Sequence, residues 1–300
     1  MFDHKTLAYV TTPVMEVQCR VTKQEAIKLF IKREYQNHPY ISGNKWWKLK
    51  YNLEEAVHQG HTTLLTFGGA YSNHIYATAA AAKELELSSV GVIRGEETLP
   101  LNHTLTFAKE CGMQLHYVSR EDYRKKSEAG FIKNLNDRFG RFYLIPEGGT
   151  NALAVKGCAE FTQQLSHEVD FDYLCLPVGT GGTIAGMIEG LDTTKQITGF
   201  PVLKGAEFLE KEISMFTSKK DNWQLIHDYH FGGYAKSSPE LEKFKKEFEI
   251  EFNLPLDLVY TSKMMYGIFD LAKKGFFRKG ATVLILHTGG LQGFNSLPCS

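Results

Sequence analysis

The sequence has no surplus of charge of either sign. Among its 300 residues Lys+Arg and Asp+Glu each number 34. No global field therefore draws in nucleic acid or an anionic membrane. The longest basic cluster, Arg124-Lys125-Lys126, reads as a solvated helix face. Cysteine is scarce: Cys19, Cys111, Cys158, Cys175 and Cys299 are odd in number and lack paired metal-ligand spacing. No metal is expected. No secretory leader is legible, and such thiols fit a reducing cytoplasm. Long apolar runs are missing as well. The stretch 77–82 is ended by Lys83 and Glu84, far short of the ~20 apolar residues that a membrane span requires. There is no low-complexity linker and no repeat of about 20 to 50 residues, which excludes solenoids and propellers.

What is present is a regular alternation. A hydrophobic content of 43% suffices for a sizeable core, and 300 residues suggest two domains. Leu49, Leu53, Ala56 and Val57 follow helical spacing, and Gly60 supplies a stop. Buried strands are expected at 62–67, 90–93, 114–118, 143–145, 173–178, 198–202, 224–226 and 282–286. Ser72 or Asn73, Asn102 and Asn151 offer helix caps between them, and another helix opens at Thr183. Alternating strand and helix implies α/β layers with mostly parallel sheets.

Several glycine-flanked polar loops interrupt this pattern. Val178-Gly179-Thr180-Gly181-Gly182-Thr183 follows a strand and opens a helix. Glycines there let backbone amides close around a phosphate at a helix N-terminus. The G-x-G-x-x-G dinucleotide pattern fails because Ile184 holds its sixth position, and no P-loop lysine follows. A nucleotide-binding oxidoreductase is thus the weaker reading of this loop. Ser72 and Asn73 stand between a strand end and a helix start, where ligands gather in open α/β sheets. Ser72 alone would pass for a simple N-cap, and His74 for a first-turn residue. Lys45, in Gly43-Asn44-Lys45-Trp46-Trp47-Lys48-Leu49, could carry an aldehyde cofactor as a Schiff base. Tyr234 follows two glycines that allow close approach to a ligand; Tyr260 and Thr288 (in His287-Thr288-Gly289-Gly290) complete the set. Amine, phosphate cradle and carboxylate cradle together read as a pyridoxal 5′-phosphate (PLP) pocket acting on amino acids.

In order along the chain, these motifs resemble the 1-aminocyclopropane-1-carboxylate deaminases and D-cysteine desulfhydrases. Carrying the resemblance are Thr12-Pro13-Val14, Lys32-Arg33-Glu34, Gly43-Asn44-Lys45, Lys48-Leu49 and Ser72-Asn73. It continues through Ile145-Pro146-Glu147-Gly148-Gly149-Thr150-Asn151, the Gly179 loop, Val259-Tyr260-Thr261 and His287-Thr288-Gly289-Gly290, to about Gly293. It implies the two-domain tryptophan synthase β-like fold (fold type II), with open, mostly parallel sheets covered by helices on both faces. A small domain, 48–159, would be inserted in a large one built from 1–47 and 160–300, with PLP between them. A homodimer and lyase or hydrolase chemistry on a small amino acid are also implied.

By the same resemblance Lys45 is the PLP lysine, and Asn73 bonds the phenolic oxygen. Gly179, Thr180, Gly181, Gly182 and Thr183 bind the cofactor's phosphate, and Lys48 is a further cofactor-binding residue. Ser72, Asn73, His74, Tyr234 and Tyr260 meet the substrate, with Ser72 assisting proton transfer. Deaminases of the family carry a glutamate after the second tyrosine and a leucine in the final loop. Here Thr261 and Thr288 stand in those places, the desulfhydrase pattern, and they would face the cofactor. D-cysteine desulfhydration is therefore the favoured expectation, with deamination of the cyclopropane acid, or another PLP lyase reaction on a small amino acid, as the alternative. The chain departs from the family at Tyr35, at Trp46-Trp47 and in a short stretch before Tyr234.

Overall fold

The computed structural model describes residues 6–219 and 221–292; Gly293 and Cys299 lie outside the described residues. Its strands are β1 (Val14–Val17), β2 (Lys28–Lys32), β3 (Thr63–Gly68), β4 (Ser88–Arg94), β5 (Met113–Val118), β6 (Tyr143–Ile145), β7 (Tyr173–Val178), β8 (Gln196–Pro201), β9 (Trp223–Leu225) and β10 (Thr282–Leu286). They form a six-stranded sheet, β1-β2-β10-β7-β8-β9, and a four-stranded sheet, β5-β4-β3-β6. Among the described residues only the β1–β2 pair is antiparallel. The smaller sheet is drawn from the middle of the chain and the larger from both ends. β10 closes the larger one, pairing Ile285 with Ile31 on one side and with Cys175 on the other.

The central strands are apolar along their length because helices cover both faces. Leu64, Leu65, Val283, Leu284, Ile285 and Leu286 are all fully buried. Between the sheets, the helix Ala152–Glu168 is wedged against the helices Asn44–His58 and Gly182–Gly190. Small residues permit this approach. A Cβ on Gly157 would stand 2.0 Å from the Trp47 carbonyl oxygen, and one on Gly186 would stand 2.4 Å from Cys158 Cβ. Trp47 stacks on Phe161 with centroids 4.7 Å apart. The expected domain junctions at 47/48 and 159/160 fall inside two of these packed helices. The three helices thus fix the start of one, bearing Lys45 and Lys48, beside the start of another, bearing the glycine loop. Among the described residues no helix is long and apolar enough to cross a membrane.

Candidate active site

Residues at the C-terminal ends of β3, β4, β7 and β10 line one cavity of about 610 Å³. Lys45, Lys48, Ser72, Asn73, His74, Gly179, Thr180, Gly181, Thr183, Tyr234, Tyr260 and Thr288 all contribute to its wall. Gly182 lies directly behind that wall, packed against Thr150 and Lys48.

Lys45 is the second residue of its helix, after Gly43 turns the chain at φ +68°. A side chain at Gly43 is excluded twice, because a Cβ would lie 1.9 Å from the Thr288 carbonyl oxygen. Asn37 clamps this turn, accepting from the Gly43 N–H at 2.8 Å and donating to its carbonyl at 3.0 Å. The Lys45 amine donates to Asn44 Oδ1 at 3.2 Å, and Asn44 Nδ2 donates to Thr183 Oγ1 at 2.8 Å. Burial lowers the Lys45 amine to about 8. Lys48, one turn on, is lowered to about 7 by burial and then by the charge of Lys45. Its ammonium donates to Thr150 Oγ1 at 2.9 Å, which meets Thr180 Oγ1 at 2.7 Å.

Ser72 caps the helix Asn73–Glu84, its oxygen accepting from the amides of His74 and Ile75. Among the described residues its hydroxyl has no acceptor, which leaves the proton to the cavity. Asn73 Oδ1 accepts from Gln292 Nε2, which leaves Asn73 Nδ2 to donate elsewhere. At His74 the protonation follows from its partners. Thr66 Oγ1 donates to the Ile145 carbonyl at 2.8 Å, so it accepts from His74 Nε2 at 2.8 Å. His74 Nδ1 is therefore unprotonated, and it is buried without a partner. Burial, then Lys45 and Lys48, hold this imidazole well below its ordinary value, and it stays neutral.

Tyr234 and Tyr260 meet edge-on, with centroids 6.1 Å apart. Burial raises both phenols, so both remain protonated at neutral pH. The two threonines expected to face the cofactor part company here. Thr288 lines the cavity. Thr261 is fully buried away from it. Its hydroxyl donates to Asp257 Oδ1 at 2.7 Å and accepts from the Asp257 N–H at 2.8 Å.

Asn37, Asn44, Arg94, Asp257 and Lys263 had no role assigned from sequence. Asn44 is legible as the neighbour of Lys45; the others take their places only through the fold. The basic cluster 124–126 is only partly a solvated face. Lys125 pairs with Asp122 on the surface, while Lys126 reaches Glu147, a cavity residue, at 3.3 Å.

This lining fits PLP on the structure's own terms. Gly182 has no room for a side chain, since a Cβ would sit 2.7 Å from Thr150 Oγ1 and 3.0 Å from Lys48 Nζ. An anion at this helix start would find first-turn amides with no helical acceptor and the Lys48 ammonium beside them. A buried amine, an amide donor and a hydroxyl, from Lys45, Asn73 and Thr288, line the remainder. The volume lies within the roughly 300–1,000 Å³ common for ligand sites.

Residues 5–289 match the family model of the pyridoxal-phosphate dependent enzymes. A Pyrococcus abyssi protein, provisionally named a 1-aminocyclopropane-1-carboxylate deaminase, is 31% identical, the match covering 97% of this chain and 93% of the relative. The Arabidopsis thaliana bifunctional D-cysteine desulfhydrase/1-aminocyclopropane-1-carboxylate deaminase is 30% identical over 89% of this chain and 73% of the relative. A solved structure of an ACC deaminase homologue superposes with a TM-score of 0.83 at 27% identity, covering 96% of this chain and 91% of that one. These relatives support lyase and deaminase chemistry; the hydrolase class expected beside it is not supported. By its matched model, its fold and its relatives, the chain belongs to the pyridoxal-phosphate dependent enzymes, in the group of the 1-aminocyclopropane-1-carboxylate deaminases and D-cysteine desulfhydrases.

Proposed function

We propose that this enzyme catalyses β-elimination from a small amino acid of the D-cysteine type, with water consumed and pyruvate, ammonia and hydrogen sulfide released. Bound PLP supplies an aldehyde that exchanges between amines and a conjugated ring that takes up the negative charge developed at Cα. In this reading Lys45 is the lysine that holds the cofactor and, once free, the base at Cα. An amine near 8 keeps a useful fraction unprotonated at neutral pH. Ser72 hands on a proton, since its oxygen already accepts two amides while its own proton is uncommitted. The substrate carboxylate sits at the start of the Asn73–Glu84 helix, where the dipole favours an anion. Tyr234 and Tyr260, held neutral, close the substrate side.

The observation that carries the choice of elimination is the Thr288 end of the cavity. Asp257 is a carboxylate close to that loop, 3.2 Å from the Cβ position of Gly290. It is spent on the amides of Val259, Tyr260 and Thr261 and on the Thr261 hydroxyl. Were the Thr288 hydroxyl to face the ring nitrogen of bound PLP, it would leave that nitrogen closer to neutral than a carboxylate would. A weaker electron sink suffices for a good leaving group such as thiolate and is less suited to opening a cyclopropane.

The names of the relatives favour a second reading, deamination of 1-aminocyclopropane-1-carboxylate to 2-oxobutanoate and ammonia. A side-by-side assay of D-cysteine, L-cysteine, β-chloroalanine and the cyclopropane acid on the PLP-loaded enzyme separates them. Pyruvate from D-cysteine in large excess is expected. Predominant 2-oxobutanoate from the cyclopropane acid would overturn the first reading and establish the second.

A further inference from the structure

We infer that Lys263 is the residue that positions Tyr234, tying a conformationally costly loop to the helix behind it. The proposal rests on the reading that Tyr234 contacts substrate, and the test below separates the two.

The loop is unusual in its backbone. Phe231, Gly232, Gly233 and Ala235 all have positive φ, at 50°, 88°, 110° and 56°. Two of these are not glycine, and such conformations persist only where the surroundings over-determine them. Among the described residues no sheet pairing holds this segment. Its own bonds are Gly233 N–H to the His230 carbonyl, Lys236 N–H to the Gly233 carbonyl, and Gly232 N–H to His230 Nδ1. Those two carbonyls, at either side of the glycine pair, also take the Lys263 ammonium. Nζ donates to the His230 oxygen at 2.8 Å and to the Gly233 oxygen at 2.7 Å. Tyr234 is the next residue.

Lys263 is an expensive way to fill this space. Its side chain is 1% exposed, and it forms no ion pair among the described residues within 4.0 Å. Lysine is almost never fully buried unless paired. An apolar side chain of similar length could occupy the same volume at lower cost, but it could not hold two carbonyls in register. What the ammonium achieves is directional. It fixes the loop to the third residue of the helix Thr261–Lys273.

The same turn sets the partner tyrosine. Asp257 Oδ2 accepts from the amides of Val259 and Tyr260, and Oδ1 from the amide of Thr261. Tyr260 thus hangs from the start of this helix through a carboxylate, and Tyr234 through an ammonium. One rigid element determines how the two rings meet on the cavity wall.

The test uses the PLP-loaded enzyme and its Lys263→Met and Lys263→Gln variants. Hydrogen exchange is read in the amides of 231–236, with the Asn44–His58 helix as internal control. Losing charge-assisted bonds predicts exchange in the loop faster by roughly tenfold to a hundredfold in Lys263→Met, with the control helix unchanged. Lys263→Gln, which keeps an amide donor pair, should fall between and remains informative if the methionine variant does not fold. The absorbance of the lysine-linked cofactor should persist, while kcat/KM falls together with loop order. In a Tyr234→Phe background the same lysine substitution should cost little further activity. Wild-type exchange in the loop of either folded variant overturns the proposal. A loosened loop with unchanged kcat/KM leaves the placement by Lys263 standing and overturns the reading of Tyr234.

Discussion

Trp47→Phe tests how the Lys45 turn is supported. Trp47 Nε1 donates at 2.7 Å to Oε1 of Glu34, a carboxyl with no exposed surface. Thr12 Oγ1 and Asn37 Nδ2, both at 2.8 Å, are the other close donors. Asn37 in turn clamps Gly43, two residues before Lys45. Phenylalanine keeps much of the stacking on Phe161 and deletes the donor. Losing a bond to a buried carboxyl costs about 1.5–3 kcal/mol, and the void left by the smaller ring costs about 1–2 kcal/mol more. At about 2 °C per kcal/mol, the melting temperature should drop by roughly 5–10 °C.

The two contributions separate by pH. Burial raises Glu34 above its ordinary value of 4.5, against the bond from Trp47. A raised folded-state value means that the stability from the protonated form is complete below the unfolded value and lost as pH rises through the folded one. Removing the donor raises that folded value further. The variant should therefore lose more stability at about pH 8 than at about pH 5. The void costs the same at both. Urea melts of wild type, Trp47→Phe and Phe161→Leu at both pH values provide the measurement. Phe161→Leu leaves the donors of Glu34 in place and should show a flat difference. A flat difference for Trp47→Phe as well would refute the account of Glu34.

Other expected outcomes concern the cavity itself. Lys45→Ala should abolish turnover and the absorbance of the lysine-linked cofactor; an intact absorbance would remove Lys45 from its assigned role. Lys48→Met should weaken PLP binding by about tenfold to a hundredfold near neutral pH. In wild type the affinity should fall as pH rises through about 7, where Lys48 loses its proton, and titrations across that range should be nearly flat in the variant. Gly43→Ala, with its Cβ 1.9 Å from the Thr288 carbonyl oxygen, should lose at least about 2 kcal/mol in denaturant melts and bind less PLP. Ser72→Ala should cost about 1 kcal/mol as a lost cap, whereas its kcat should fall by about a hundredfold or more if Ser72 moves a proton; a drop in kcat no larger than the cap accounts for would return Ser72 to a purely structural role.

Much of the larger architecture is legible in the sequence because fully buried strands announce themselves. The expected spans 143–145, 173–178 and 282–286 coincide with β6, β7 and β10. Each is an apolar run stopped by a glycine loop or a proline. β1 and β2 escaped notice because charge interrupts them. Lys32, in β2, is buried without exposed surface and is neutralised by Glu168, 136 residues away at 2.5 Å. The first long helix begins at Asn44, a turn before the apolar spacing that starts at Leu49, because its opening turn carries polar residues aimed at the cavity. Helical apolar spacing registers only the face turned to the core. Asn37 and Lys263 were illegible for a related reason: both act through backbone groups brought close only by folding.

Thr261 shows where sequence position and side-chain direction diverge. It follows Tyr260 directly and so inherits a place beside the cofactor on paper. Asp257, four residues earlier, claims both the donor and the acceptor capacity of its hydroxyl. A helix start that needs its amides satisfied takes precedence over a ligand contact here. The discrimination between activities that rested on two threonines therefore rests on Thr288 alone. The capping that turns Thr261 inward also engages Asp257, a carboxylate beside Gly290 of the Thr288 loop, while the Thr288 side chain lines the cavity. The bonds that hold the Tyr260 amide in place thus also engage the carboxylate beside that loop.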